Sequence, residues 1–139
     1  MSDQPKLITI HTTIDAPVAV VWKKWTHPED IMRWNNASPD WHTPRAENDL
    51  RPGGTFLSRM EAKDGSMGFD FGGTYTRVVK HERIDYTIAD GRTVSIVFTP
   101  ENGKTRVTET FEAERVNDPE LQRGGWQAIL DNFRKYAES

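Results

Sequence analysis

From Leu7 to Ile14 ("LITIHTTI") apolar and polar residues alternate, with Ile8, Ile10 and Ile14 on one side. That is the period of a half-buried strand. The pattern then changes to a helical one. In "DAP" Asp15 reads as an N-cap and Pro17 suits a first turn. Val18, Val21, Trp22 and Trp25 follow at helical spacing. "HPEDIMRW" predicts a second short helix, with Pro28 at its start and Ile31 and Trp34 on one side. The stretch "RWNNASPDWHTPRAENDLRPGG", Arg33 to Gly54, reads as a loop because Pro39, Pro44, Pro52 and an Asn/Asp cluster interrupt any period. Two large apolar residues in it, Trp34 and Trp41, are unusual for a surface segment. They imply that the loop folds back on a core or walls a site.

From Thr55 the period is two again. "TFLSRMEA", "FDFGGTYTRVV", "RIDYTI", "TVSIVFT" and "TRVTETFEAE" predict five further strands, joined by "KDGS", "KHE", "ADG" and "PENG" as short connections. "DPELQRGGWQAILDNFRKYAE" then predicts a long helix, about Pro119 to Ala137, with Trp126, Ile129, Leu130, Phe133 and Tyr136 on one stripe. Strands and helices are segregated along the chain, which predicts an α+β fold with an antiparallel sheet curled around the last helix. Gly72 and Gly73 lie inside a strand, where glycine marks a bulge, bend or close approach. Gly124 and Gly125 are read as letting the helix start pass near the sheet.

Two residues interrupt the apolar strand faces. Glu109 falls between Val107 and Phe111, and Arg77 between Tyr75 and Val79. A buried carboxylate must be paired, hydrogen-bonded or protonated. Three readings stay open: strand ends or a bulge turn these residues outward, the two form a structural pair, or Glu109 is a polar anchor or acid/base group within a cavity.

Composition narrows the function classes. The chain has 139 residues, enough for one domain (1–139) with a sizeable core. Its 18 basic and 21 acidic residues are interspersed, for a net charge of −3. No basic stripe indicates nucleic acid. Without cysteine there are no disulfides or thiolate metal sites, in keeping with a reducing, cytoplasmic setting. The apolar run "APVAVVW" is far too short for a membrane span, and "MSDQPK" is not a signal-peptide start.

Chemical motifs are sparse. His11, His27, His42 and His81 have no metal-site spacing, so no metal is expected. There is no P-loop and no dinucleotide fingerprint, so no cofactor is expected. "GSMG" links strand to strand and is not a nucleophile elbow. Asp40 and His42 are a weak catalytic dyad candidate that lacks a nucleophile.

The ordered set "IDAPVAVVWKKWTHPEDIMRW", "DLRPGGTF", "FGGTYTRVVKHERIDYTIADGR" and "TRVTETFEAE…ELQRGGWQAILDNF" resembles the START-like helix-grip superfamily, also called SRPBCC or Bet v 1-like. Within it the chain is similar to the Hsp90 ATPase activator homologue family. One departure is Lys80, where relatives often carry proline; only a local change in that turn is expected. The resemblance implies a seven-stranded antiparallel sheet gripping the C-terminal helix, two short helices at one end, and a cavity between sheet and helix. The facing apolar positions then make Trp41, Met60, Phe71, Tyr75, Trp126, Leu130 and Phe133, with Glu109, the expected ligand-binding residues. The favoured expectation is a binder of a small hydrophobic molecule, as monomer or homodimer. The alternatives are a cyclase or dehydratase, with Glu109, Asp40 or His42 as weak catalytic candidates, and a chaperone-associated protein.

Overall fold

A computed structural model describes residues 6–139. The elements are β1 (Leu7–Ile14), α1 (Val18–Thr26), α2 (Pro28–Trp34), β2 (Trp41–Asn48), β3 (Thr55–Ala62), β4 (Gly68–Val79), β5 (Arg83–Ile88), β6 (Thr93–Glu101), β7 (Lys104–Glu112) and α3 (Pro119–Glu138). All seven strands form one antiparallel sheet in the order β1-β7-β6-β5-β4-β3-β2. The sheet curls into a half-barrel, with α3 packed along its concave side against β1.

The alternation reads out directly in β1 and β7. Ile8, Ile10, Thr12 and Ile14 face inward from β1, and Thr105, Val107, Glu109 and Phe111 from β7. Register extends these faces into rows across the sheet. One row runs Ile10, Glu109, Ile96, Ile84, and its neighbour runs Ile8, Phe111, Val94, Tyr86, Tyr75.

Three sequence expectations are corrected. The predicted loop holds β2, an edge strand. Pro44 breaks the strand signal there, but an edge strand tolerates its missing N–H. The register also shifts between His42 and Arg45, so no regular alternation marks the strand. Asp15 is not the cap of α1. Pro17 occupies that position with no side-chain hydrogen bond, and Asp15 instead donates its N–H to Glu138. Gly124 and Gly125 allow no close approach, because a Cβ at either would meet nothing within 4 Å. Gly72 and Gly73 do mark one: a Cβ there would lie 2.7 Å from the Phe56 carbonyl oxygen and 2.4 Å from that of Thr87.

The two halves of α3 are held differently. Asp118 caps the helix by accepting from the Glu120 N–H, and Pro119 opens its first turn. In the C-terminal half Leu130, Phe133 and Ala137 are buried. The Phe133 ring sits 4.7 Å from Trp25 and 4.8 Å from Trp34, edge-on to both. The Trp34 indole N–H donates to the Lys24 carbonyl, tying α2 to α1. In the N-terminal half Trp126 stacks on Phe111 with 4.0 Å between centroids. Among the described residues no helix is long and apolar enough to cross a membrane.

Phe133 is fully buried in this aromatic cluster, and removing its ring leaves a void that rigid strands and helices cannot fill. Phe133→Ala is predicted to destabilise the fold by about 3–5 kcal/mol, read by denaturant unfolding. A loss below about 1 kcal/mol would show that the cluster does not anchor α3.

Candidate functional site

Where α3 is spaced off the sheet by Trp126, a cavity of about 380 Å³ remains. Most of its wall is apolar: Trp25, Phe56, Met60, Phe71, Ile84, Ile96, Trp126, Ile129 and Leu130. Tyr75 and Tyr86 add phenol groups, Ser58 a hydroxyl and Glu109 a carboxyl.

Glu109 is the unusual group. It is 6% exposed and lies in the middle of β7 with Ile10 and Ile96 as its cross-strand neighbours. None of the described residues hydrogen-bonds to its carboxyl or forms an ion pair with it. The described residues also include no sealed side-chain N or O without a partner, so its oxygens reach the cavity space. The same holds for the hydroxyls of Ser58 and Tyr86, both buried residues without a side-chain hydrogen bond. Burial among isoleucines disfavours the ionised form and pushes the Glu109 carboxyl from an ordinary 4.5 up to about 8. Burial also holds the Tyr86 phenol well above its ordinary value, and the Glu109 charge adds to the shift. The Tyr75 hydroxyl is committed elsewhere. It donates to the Asn48 side chain at 2.6 Å, and Asn48 in turn donates to the Thr26 carbonyl at 2.6 Å. Burial raises its pKa despite that bond.

The two interrupting residues therefore part company. A register shift between Tyr75 and Arg77 turns Arg77 out of the apolar face, and it is exposed opposite Asp85. Glu109 has no such bulge and stays inside. The paired reading is thus corrected: no Arg77–Glu109 bridge exists.

Of the expected ligand-binding residues, Met60, Phe71, Tyr75, Glu109, Trp126 and Leu130 all line the cavity, and Trp41 and Phe133 do not. Trp41 lies one ring behind the wall, 5.9 Å from Phe69, which does line it. Phe133 is spent on the aromatic cluster below. Asp40 and His42 form no dyad. Asp40 sits in the turn before β2, where its carbonyl accepts from the Lys63 N–H, and exposed His42 lies 3.9 Å from Glu61. Neither lines the cavity. Sequence reasoning missed Ser58 and Tyr86. Ser58 is small and polar on a strand of mixed pattern, while Tyr86 reads as ordinary core. Only the register that puts them on the concave face marks them.

His27, Glu29 and Asp30 bring potential ligand atoms within 4.8 Å of one another at the start of α2. Asp30 is already held there by the Tyr136 hydroxyl and by Lys23 at 3.5 Å. The cluster is explained as a clamp between α2 and α3.

The sequence matches the family described as activator of Hsp90 ATPase homolog 1-like protein over residues 15–138. The chain belongs to that family. No curated protein matches it. Among solved structures, the AHSA1-like protein from Aeromonas hydrophila is 48% identical, with a TM-score of 0.91 over 96% of this chain and 92% of that one. A protein from Cytophaga hutchinsonii is 53% identical, with a TM-score of 0.83 over 94% of this chain and 91% of that one. A protein from Chromobacterium violaceum, 24% identical over 97% of this chain and 99% of that one, shares the fold with a TM-score of 0.84. For a member of the Hsp90 ATPase activator homologue family, the helix-grip arrangement is thus shared, and the polar groups inside this cavity are the features to explain.

The raised carboxyl has a consequence for stability. Folded Glu109 keeps its proton up to about pH 8, while the unfolded chain releases it near 4.5. Between those values the native state binds the extra proton, so its contribution is complete below the lower value and is lost as pH rises to the upper one. Comparison of wild type with Glu109→Gln should show wild type losing ground by roughly 1.4 kcal/mol per pH unit across that window, then levelling off. A stability difference that is flat with pH would contradict a buried, unpartnered carboxyl.

Proposed function

We propose that the protein binds a small, mostly apolar molecule in the cavity between α3 and the sheet. The observation that carries this reading is the pairing of size with chemistry. At about 380 Å³ the space falls within the range of small-molecule sites. Its wall is aromatic and aliphatic, and the polar groups of three buried residues, Glu109, Ser58 and Tyr86, open into it without a partner among the described residues. A well-packed core does not leave such groups unsatisfied, whereas a ligand site uses a few of them to orient what it holds.

Glu109 also supports a second reading, an acid–base reaction on the bound molecule, because a carboxyl pushed up to about 8 is poised to exchange a proton near neutral pH. Binding remains the primary reading, since it requires only the cavity and its polar anchors. A chaperone-associated role rests on the family description alone.

An apolar fluorescent probe such as Nile red should bind one site per chain. Met60→Trp places a larger ring on the cavity wall. It should weaken the probe at least about tenfold, at a stability cost of about 1–3 kcal/mol for overpacking. Unchanged probe affinity in the folded variant, or no binding by wild type, would refute the cavity as a ligand site.

A further inference from the structure

Resting on that reading of the cavity, the geometry points to its ligand class: we propose that the bound molecule is an apolar amine, with its ammonium group against the Glu109 carboxylate and its hydrocarbon body among Trp126, Phe71 and Tyr86.

Four ionisable acids and bases of full charge line the cavity: Glu47, Arg92, Glu109 and Glu114. Glu47 is 3.2 Å from Arg45, and Arg92 is 2.8 Å from Asp90. The Glu114 carboxylate accepts from the Asn117 side chain. Glu109, the most deeply buried of the four, is the one without a partner among the described residues. With Glu109 protonated the lining carries two carboxylates and one guanidinium, a formal charge of −2 + 1 = −1, and Glu47 is already matched by Arg45. That guanidinium is already matched by Asp90. Once ionised, Glu109 would have to find its counter-charge in the ligand, which favours a cation.

The rings point the same way. Phe71 meets Trp126 edge-on at 6.3 Å, and Phe56 meets Tyr86 edge-on at 4.7 Å. Aromatic walls attract a cation through their negative faces, and the more so away from water. A neutral ligand offering a carbonyl would also find a donor in protonated Glu109. It would gain only a neutral hydrogen bond, roughly half as strong as a charge-assisted one.

The elements around Glu109 supply no competing titration near neutral pH. β1 and β6 face it with Ile10 and Ile96. β5 contributes Tyr86, β4 Tyr75, and α3 the uncharged Gln122, Trp126, Ile129 and Leu130. Both phenols are shifted upward, away from neutrality. Arg92, Glu47 and Glu114 stand with the partners already named. Amine binding must therefore ionise Glu109, and the proton it loses must leave the complex.

That proton is the test. Phenylbutylamine and phenylbutanol, alike in length and apolar body, are titrated into the intact protein by calorimetry in buffers of different ionisation enthalpy. With a carboxyl at about 8, amine binding at pH 7 should release about 0.9 proton per site. Amine affinity should weaken roughly fivefold from pH 8 to pH 7 and about tenfold more by pH 6. Near pH 8 the amine should bind at least about tenfold tighter than the alcohol. Glu109→Gln should erase that advantage; if the variant does not fold, the proton release of wild type decides alone. Binding of the alcohol without an amine advantage, or affinity that falls as pH rises through 8, overturns the amine and leaves the binding reading standing. No binding of either probe overturns both.

Discussion

The structure turns on a carboxyl group buried in the fold without a partner among the described residues. Glu109 sits in a row of isoleucines, at the centre of a sheet whose inward face is mostly apolar. Such a group can be tolerated in two ways: neutralise it, or supply something that compensates it. Among the described residues no cation pairs with it, and the neighbouring strands place branched hydrocarbons on both sides. Its proton and the cavity in front of it are thus parts of one arrangement, because the space that leaves the group unpaired is the space a ligand would enter.

That space exists because α3 divides its work. Its C-terminal half is fixed by Phe133 between Trp25 and Trp34, by Leu130 in the core, and by the Tyr136–Asp30 bond to α2. Its N-terminal half rests on the Trp126–Phe111 stack, with Gly124 and Gly125 beside open space. Two glycines within a helix cost roughly 1 kcal/mol each against alanine. This turn of α3 is therefore weaker than the anchored end, and stability is concentrated where the aromatic cluster lies. The same helix closes the core at one end and roofs the cavity at the other.

Much of this was legible in the sequence. Strict alternation in β1, β5 and β7 and the stripe on α3 carry the architecture, because their periods match the surfaces they bury. Glu109 was visible as a polar residue in an apolar series. β2 was hidden by Pro44 and an irregular register, since an edge strand with a bulge keeps no clean period. The fate of Arg77 was hidden for a related reason: one shifted residue in β4 reverses which way later side chains face. The division of labour between Trp126 and Phe133 could not be read from spacing, which places both on one stripe. It depends on α1 and α2 filling only one end of the sheet.

The central claim is that Glu109 is a neutral, unpartnered acid inside the folded protein at neutral pH. It is tested most directly by following the Glu109 side-chain carboxyl carbon by NMR through a pH titration of the native chain. The account predicts a single transition centred near 8. A transition near the ordinary 4.5 would contradict it, and would mean that water or a cation reaches the carboxylate in the folded state.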